Sequence, residues 1–357
     1  MNSPEREKEQ AIQSPWWRRP LEALFPDKTF DGQFQNPETE QVFDFDDLVM
    51  VQPDPLEFIE KNIVYYPPGD EKELSTIFIS GLGQTNATSS QRSCRYAERL
   101  LTGIANLNNA SYLKQNPIFT KINPFLDWID AAIHRLGLSG SPVIDNCARL
   151  ILHGITHKQV INFSVDSHGT ILFGRGLRAA KKKFILSNTS FFNFKGRQHW
   201  EERWEELSHQ LINVFAFGNG YKAWVKGPKY IMVFITGDPL ASRVGITPEK
   251  AQKLQRSDIQ FLAFDPIFES GDFEAHNMMY TIELLRQSFI KNNLKVGDFA
   301  GLYQGLSQGN FKLVTAAEAH AETFPWPKDM KKYTWDPEGS SSKILDQISP
   351  SSDDDAV

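Results

Sequence analysis

Ser167 is the residue best placed to act as a nucleophile in this sequence. It stands in the run Lys158 to Lys183, KQVINFSVDSHGTILFGRGLRAAKKK, where an apolar stretch rich in Val, Ile and Phe is interrupted by Ser167-His168-Gly169 before Leu172, Leu177 and a basic tail resume with helical character. That pattern reads as strand, sharp turn and helix. A serine in such a turn has its hydroxyl lifted above the end of the sheet, and the amide of the next residue, His168, points toward the same spot, as acyl transfer requires. Gly169 keeps the space beside the serine small enough for helix and strand to approach. A Ser-Gly loop between two ordinary elements carries the same letters, so the serine needs support from elsewhere in the chain.

One source of support lies upstream. Leu74 to Ser80, LSTIFIS, reads as a buried strand that runs into Gly81-Leu82-Gly83-Gln84-Thr85-Asn86 and then a helix from about Ser90 to Ile104. Closely spaced glycines let a backbone amide approach a carbonyl oxygen, so Gly83 and Gln84 are candidates for a second oxyanion donor beside the amide of His168. Strand, glycine loop and helix also begin a dinucleotide site. Here Asn86 takes the place of the third glycine, and no ribose-binding acid follows, so that reading is set aside.

The five residues Val165-Asp166-Ser167-His168-Gly169 resemble the G-x-S-x-G nucleophile elbow of the α/β-hydrolase family, in particular its lipase-like and esterase-like members, with the second glycine present and Val165 in place of the first. The resemblance spans roughly residues 70–290. Asp238, in Thr236-Gly237-Asp238-Pro239-Leu240, follows an apolar run at 230–235 and so stands at the carboxyl end of a strand, where open α/β sheets place their ligands. In the family an acid here orients a histidine, and the histidine sits on the last catalytic loop, often just before a helix. His276 matches that place, since Met278, Met279, Tyr280, Ile282 and Leu284 begin a helical pattern after it. The resemblance therefore implies a triad Ser167, Asp238, His276, in the family's chain order. Asp-Pro is also an ordinary turn pair.

The remaining histidines, His134, His153, His157, His199, His209 and His320, lack that order and position. His153 and His157 are four apart, as metal ligands on a helix can be, but no third ligand is near them, and they read as structural. Asp166 puts a negative charge at the site mouth or hydrogen-bonds the turn. No metal and no cofactor is expected.

The elements that must position these residues are further apolar runs at 159–165, 212–217, 230–235 and 259–263, separated by helical patterns at 124–136, 144–155 and 200–211, with a peripheral strand within 305–314. The expected fold class is α/β, an α/β-hydrolase-like, mostly parallel sheet flanked by helices. Residues 1–60 read as an extended, partly disordered arm, 61–330 as the hydrolase-like domain and 331–357 as an acidic disordered tail. In the arm, Trp16-Trp17 beside Arg18-Arg19 suits peripheral membrane contact, although packing onto the parent domain is the expectation.

Composition agrees with a soluble globular protein: 357 residues, 40% hydrophobic and 23% charged. A net charge of -6 argues against a broad nucleic-acid surface, and two cysteines, Cys94 and Cys147, make no disulfide framework and suit a reducing, cytoplasmic setting. The N-terminus has no secretory h-region, and no apolar run is long enough to span a membrane, though export without a signal would escape this test. The expected function is hydrolysis of a small-molecule or lipid ester, or a related acyl bond, by a serine esterase or lipase-like enzyme. The alternative is a non-catalytic α/β-hydrolase-fold protein used for binding or as a scaffold.

Overall fold

The computed structural model describes residues 31–51, 54–68, 75–81, 86–109, 132, 134–135, 140–189, 194–267, 277–321, 323–327, 332–334 and 343–345. Eight strands form one sheet in the order β2-β1-β4-β3-β5-β6-β7-β8. They are β1 (Phe34–Gln35), β2 (Val42–Phe43), β3 (Thr76–Ile79), β4 (Ile104–Leu107), β5 (Ile161–Asp166), β6 (Ile212–Phe217), β7 (Lys229–Ile235) and β8 (Ile259–Phe264). β3 to β8 pair in parallel, while β1 pairs antiparallel with both β2 and β4. This is the general α/β-hydrolase-like topology.

Parallel strands need crossover connections, and a sheet covered on both faces must be apolar on both. Alternation along each strand meets that demand. Tyr230 and Met232 face one core cluster while Ile231, Val233 and Ile235 face the other, and in β6 Val214 and Ala216 oppose Phe215 and Phe217. The first face is covered by helices α1 (Phe45–Val51), α2 (Pro55–Asn62), α4 (Pro142–His157), α5 (His168–Asn188) and α6 (Phe194–Leu211). The second is covered by α3 (Asn86–Leu100), α9 (Met278–Lys291), α10 (Phe299–Ser307) and α11 (Ala316–His320), while the short α7 (Pro239–Val244) and α8 (Pro248–Lys253) lie between β7 and β8 in the chain. Beyond the main sheet, β9 (Lys332–Thr334) pairs antiparallel with β10 (Lys343–Leu345).

The helices start where their caps dictate. Ser141 accepts from the Val143 amide with Pro142 at the first position of α4, and Asn277 accepts from the Met279 amide to open α9. Two elements differ from the sequence expectation. The helix after β3 ends at Leu100 and not near Ile104, because Leu101 takes a positive φ of 50° and Ile104–Leu107 joins the sheet as β4. The peripheral strand expected within 305–314 is absent: residues 299–307 are the helix α10, capped by Asp298, and 308–315 form no strand. Most of the helix expected at 124–136 lies outside the described residues.

The interface beneath α3 is polar. Ser93 Oγ donates to the Ser89 carbonyl (2.9 Å) and bonds Asn106 Oδ1, Asn106 Nδ2 reaches Ser89 Oγ (3.4 Å) and Gln35 Oε1 (3.5 Å), and Ser89 Oγ meets Ser80 Oγ (3.3 Å). One turn further on, Tyr96 OH and Thr76 Oγ1 both meet Ser164 Oγ, at 2.5 and 3.2 Å. All of these side chains are buried.

Candidate active site

The chain leaves β3 for β4 on one side and returns to β5 on the other, so the crossovers change direction between the carboxyl ends of β3 and β5. Ligands of open α/β sheets bind outside such a switch point. Gly81 ends one of these strands and Ser167 ends the other.

Ser167 joins β5 directly to α5 with φ 49° and ψ −114°. A side-chain-bearing residue seldom enters this region, and holding it there costs roughly 1–3 kcal/mol, so the surroundings must impose it. They do so from three directions. The Ser167 amide donates to the Phe217 carbonyl of β6 (3.0 Å), and its own carbonyl accepts from both the amide (3.0 Å) and the hydroxyl (2.6 Å) of Thr170. Thr170 Oγ1 in turn accepts from the Gly220 amide (3.0 Å), which ties the first turn of α5 to the chain after β6. On the β3 side there is no room to relax. A Cβ on Gly169 would lie 2.3 Å from the Ile79 carbonyl oxygen and 2.9 Å from that of Ser80, and a Cβ on Gly81 would lie 2.9 Å from Ser167 Cβ.

Val165, where the family's elbow has its first glycine, is accommodated in the core. Its side chain is fully buried in the core under α4 and α5, and its neighbours across the sheet are Ile79 and the small Ala216. The motif departs from the family in wording while the chain still makes the tight turn.

Asp166 is buried, and its Oδ2 lies 3.7 Å from Arg92 Nη1 of α3. The charge expected at the site mouth is thus partnered beneath it by a half-exposed guanidinium. His168 is 3% exposed, so its imidazole lies inside the protein, while its amide opens α5.

Asp238 follows β7 and is 1% exposed. Its Oδ1 accepts from the Ala241 amide (3.1 Å) and its carbonyl from the Ser242 amide (3.2 Å) and hydroxyl (2.7 Å), so it caps α7. β5 and β7 are separated by β6 alone, and two steps of roughly 4.8 Å put their carboxyl ends about 10 Å apart, a gap that two side chains and an imidazole can span. Gly83, Gln84 and His276 lie outside the described residues.

Sequence reasoning missed Asn109, which stands just past β4 and is buried. Its Nδ2 lies 2.8 Å from the Ser80 carbonyl, 3.4 Å from that of Gly81 and 3.2 Å from His168 Nδ1. In the sequence it is one asparagine in a run of polar letters that reads as a turn; only the strand order brings it to the serine. His134 packs its ring 5.3 Å from that of His168. The other spaced pair is structural: His153 Nε2 meets Asp54 Oδ1 at 3.1 Å, and its ring stacks on His157 at 4.0 Å.

No group of three or more His, Cys, Asp or Glu among the described residues could hold a metal ion, and no described helix is long and apolar enough to cross a membrane. Cys94 and Cys147 are free, and burial pushes the Cys94 thiol up to about 11, away from reactivity. Comparison with protein-family models, curated proteins and solved structures gives no significant match, and the architecture itself, a mostly parallel eight-stranded sheet flanked by helices, is consistent with the α/β-hydrolase superfamily in general.

Proposed function

We propose that this protein is a serine hydrolase acting on a carboxylic ester or related acyl substrate, with Ser167 as nucleophile. The observation that carries the reading is the backbone of Ser167, a non-glycine residue held at φ 49° and ψ −114° between a central strand and a helix at the switch point of the sheet. Strain of this kind persists only where the surroundings over-determine it, and such positions cluster at active sites. A serine used only for packing needs no such conformation, and glycine would adopt it at no steric cost.

In the proposed reaction His276 takes the proton from Ser167 Oγ as the oxygen attacks the acyl carbon. Asp238 holds the imidazole in the tautomer that can accept it. The amides of His168 and of Gly83 or Gln84 receive the charge that develops on the carbonyl oxygen. His276 then protonates the departing alcohol, and water, deprotonated by the same histidine, releases the acid and restores Ser167.

The test is a fluorophosphonate probe, which reports an activated serine irrespective of the natural acyl group. The folded protein should be labelled at Ser167, Ser167→Ala should lose the label while keeping its unfolding temperature, and His276→Ala should lower ester turnover by several orders of magnitude. A panel of short and long acyl esters run in parallel separates a poor substrate from an inert site. A folded protein that is never labelled at Ser167 and turns over esters equally well as Ser167→Ala rejects this mechanism, and one that shows neither labelling nor turnover favours a non-catalytic binding protein.

A further inference from the structure

We infer that Asn109 is a positioning residue for the oxyanion hole, acting through the imidazole of His168. The inference rests on the serine-hydrolase reading and adds a residue to it. An oxyanion hole built from two chain segments works only if their separation is fixed, since its donors must meet one oxygen at hydrogen-bond distance. Here one segment is the elbow, which supplies the His168 amide, and the other leaves the sheet through Ser80 and Gly81. Asn109 touches both: one amide nitrogen serves the carbonyls of Ser80 and Gly81 and His168 Nδ1 together.

The chemistry of that nitrogen fixes the orientation. An amide NH2 has two hydrogens and no acceptor capacity, so one hydrogen serves the near Ser80 carbonyl and is shared with the more distant one of Gly81, the other is left for His168, and turning the amide over would set its oxygen against both carbonyls. His168 Nδ1 must then be the acceptor, and the ring proton belongs on Nε2. The contact is buried, with Asn109 at 6% and His168 at 3% exposure, which strengthens the bond and raises the cost of losing one partner. Packing of the His134 ring against His168 limits how far the imidazole can swing. Ser80 is doubly engaged, because its carbonyl oxygen also faces the Gly169 position at close range. A shift of the segment after β3 away from the elbow therefore breaks the Asn109 contacts first. Asn109 itself touches no reacting atom.

The experiment measures fluorophosphonate labelling and ester kinetics for Asn109→Leu, His168→Phe, His168→Asn and the Asn109→Leu/His168→Phe pair. Asn109→Leu is expected to lower kcat about 10- to 100-fold, less than the loss of a direct oxyanion donor, with KM changed less than about twofold. His168→Asn places an oxygen where Nδ1 was and should restore most of the activity that His168→Phe loses. The double variant should be little worse than either single one, since both remove the same contact. Nitrogen NMR of the imidazole should show His168 protonated at Nε2 in the parent protein and a tautomer mixture in Asn109→Leu. Undiminished kcat in Asn109→Leu, or losses that simply multiply in the pair, overturns the inference. If Asn109→Leu fails to fold, the comparison of His168→Phe with His168→Asn decides it, and equal kcat in those two is refuting. Absence of labelling at Ser167 in the parent protein instead overturns the hydrolase reading, and this inference with it.

Discussion

Gly169→Ala is the sharpest probe of the elbow, because two opposing effects can be weighed before the experiment. Gly169 lies in the first turn of α5, where alanine in place of glycine favours the helix by about 1 kcal/mol. Against this, the new methyl meets backbone, with the Ile79 oxygen at 2.3 Å, the Ser80 oxygen at 2.9 Å and the Ile79 carbonyl carbon at 3.0 Å. No rotamer change relieves backbone contacts. Ordinary contact begins at 3.4 Å, so the elbow and the end of β3 must separate by about 1 Å. Overpacking of this kind costs up to about 3 kcal/mol, leaving a net loss near 2 kcal/mol, and at about 2 °C per kcal/mol for a chain this long the midpoint of thermal unfolding should fall by about 4 °C. The function should suffer more than the fold. A displacement of about 1 Å between reacting groups can lower a rate on the order of 10²-fold, and here it separates the two segments to which the proposed mechanism assigns the oxyanion donors. Thermal unfolding and fluorophosphonate labelling rates measure both effects. Gly140→Ala is the control, since a Cβ there meets nothing within 4 Å, and it should change stability by less than about 0.5 kcal/mol. A Gly169→Ala protein as stable as its parent and labelled at the same rate refutes the packing argument.

Asp238→Asn separates the two roles of that residue. Asparagine caps a helix as well as aspartate, so thermal stability should hold, whereas a triad acid replaced by its amide should lower turnover by roughly 10⁴-fold. Unchanged turnover would leave Asp238 as a helix cap alone. Ser167→Gly should be more stable than Ser167→Ala by about 1 kcal/mol, because glycine accepts the positive φ that alanine does not; chemical denaturation gives the difference, and equal stability would mean that Ser167 is unstrained. Val165→Gly should cost roughly 2–4 kcal/mol from lost burial and strand stiffness while leaving Ser167 labelling intact, and loss of label in the folded variant would show that the valine shapes the turn. Burial, with His157 nearby, lowers the His153 pKa from 6.5 although Asp54 opposes the shift. The folded state then binds fewer protons than the unfolded chain below that pH, so this contribution to stability is complete above about pH 6.5 and fades on acidification; His153→Gln should flatten the stability profile between about pH 7 and pH 5.

The parts of the fold legible in the sequence were those with a strong local pattern. β5 to β8 are six- or seven-residue stretches rich in Ile, Val and Phe with only scattered polar residues, and the Ser-His-Gly turn between β5 and α5 shows as a break after one of them. β4 was hidden because Ile104-Ala105-Asn106-Leu107 is short and continues the apolar spacing of the helix before it. Two-residue β1 and β2 take their structure from an edge they join, a tertiary effect with no local trace. α10 has no clear helical signature because Gly301 and Gly305 interrupt the spacing of Phe299, Leu302 and Leu306, and the strand expected within 305–314 overlaps only its last turn. The site followed the same division. The turn at Ser167 and the strand end before Asp238 are local patterns, while Asn109 is brought to its place by contacts with residues 28, 29 and 59 positions away.

The polar seam beneath α3 also restricts how this protein can change over time. Removing Asn106 alone strips partners from Ser93 and Gln35 in a buried place, and each abandoned group costs about 1–3 kcal/mol. Replacing all members together by apolar residues of similar shape can be nearly neutral. A hydrocarbon version of this interface is therefore separated from the present one by single steps that all lead downhill in stability. Libraries that vary Gln35, Ser89, Ser93 and Asn106 jointly should recover apolar sets that one-at-a-time mutagenesis never reaches. The seam behaves as a historical lock on α3: easy to keep and exchangeable only all at once.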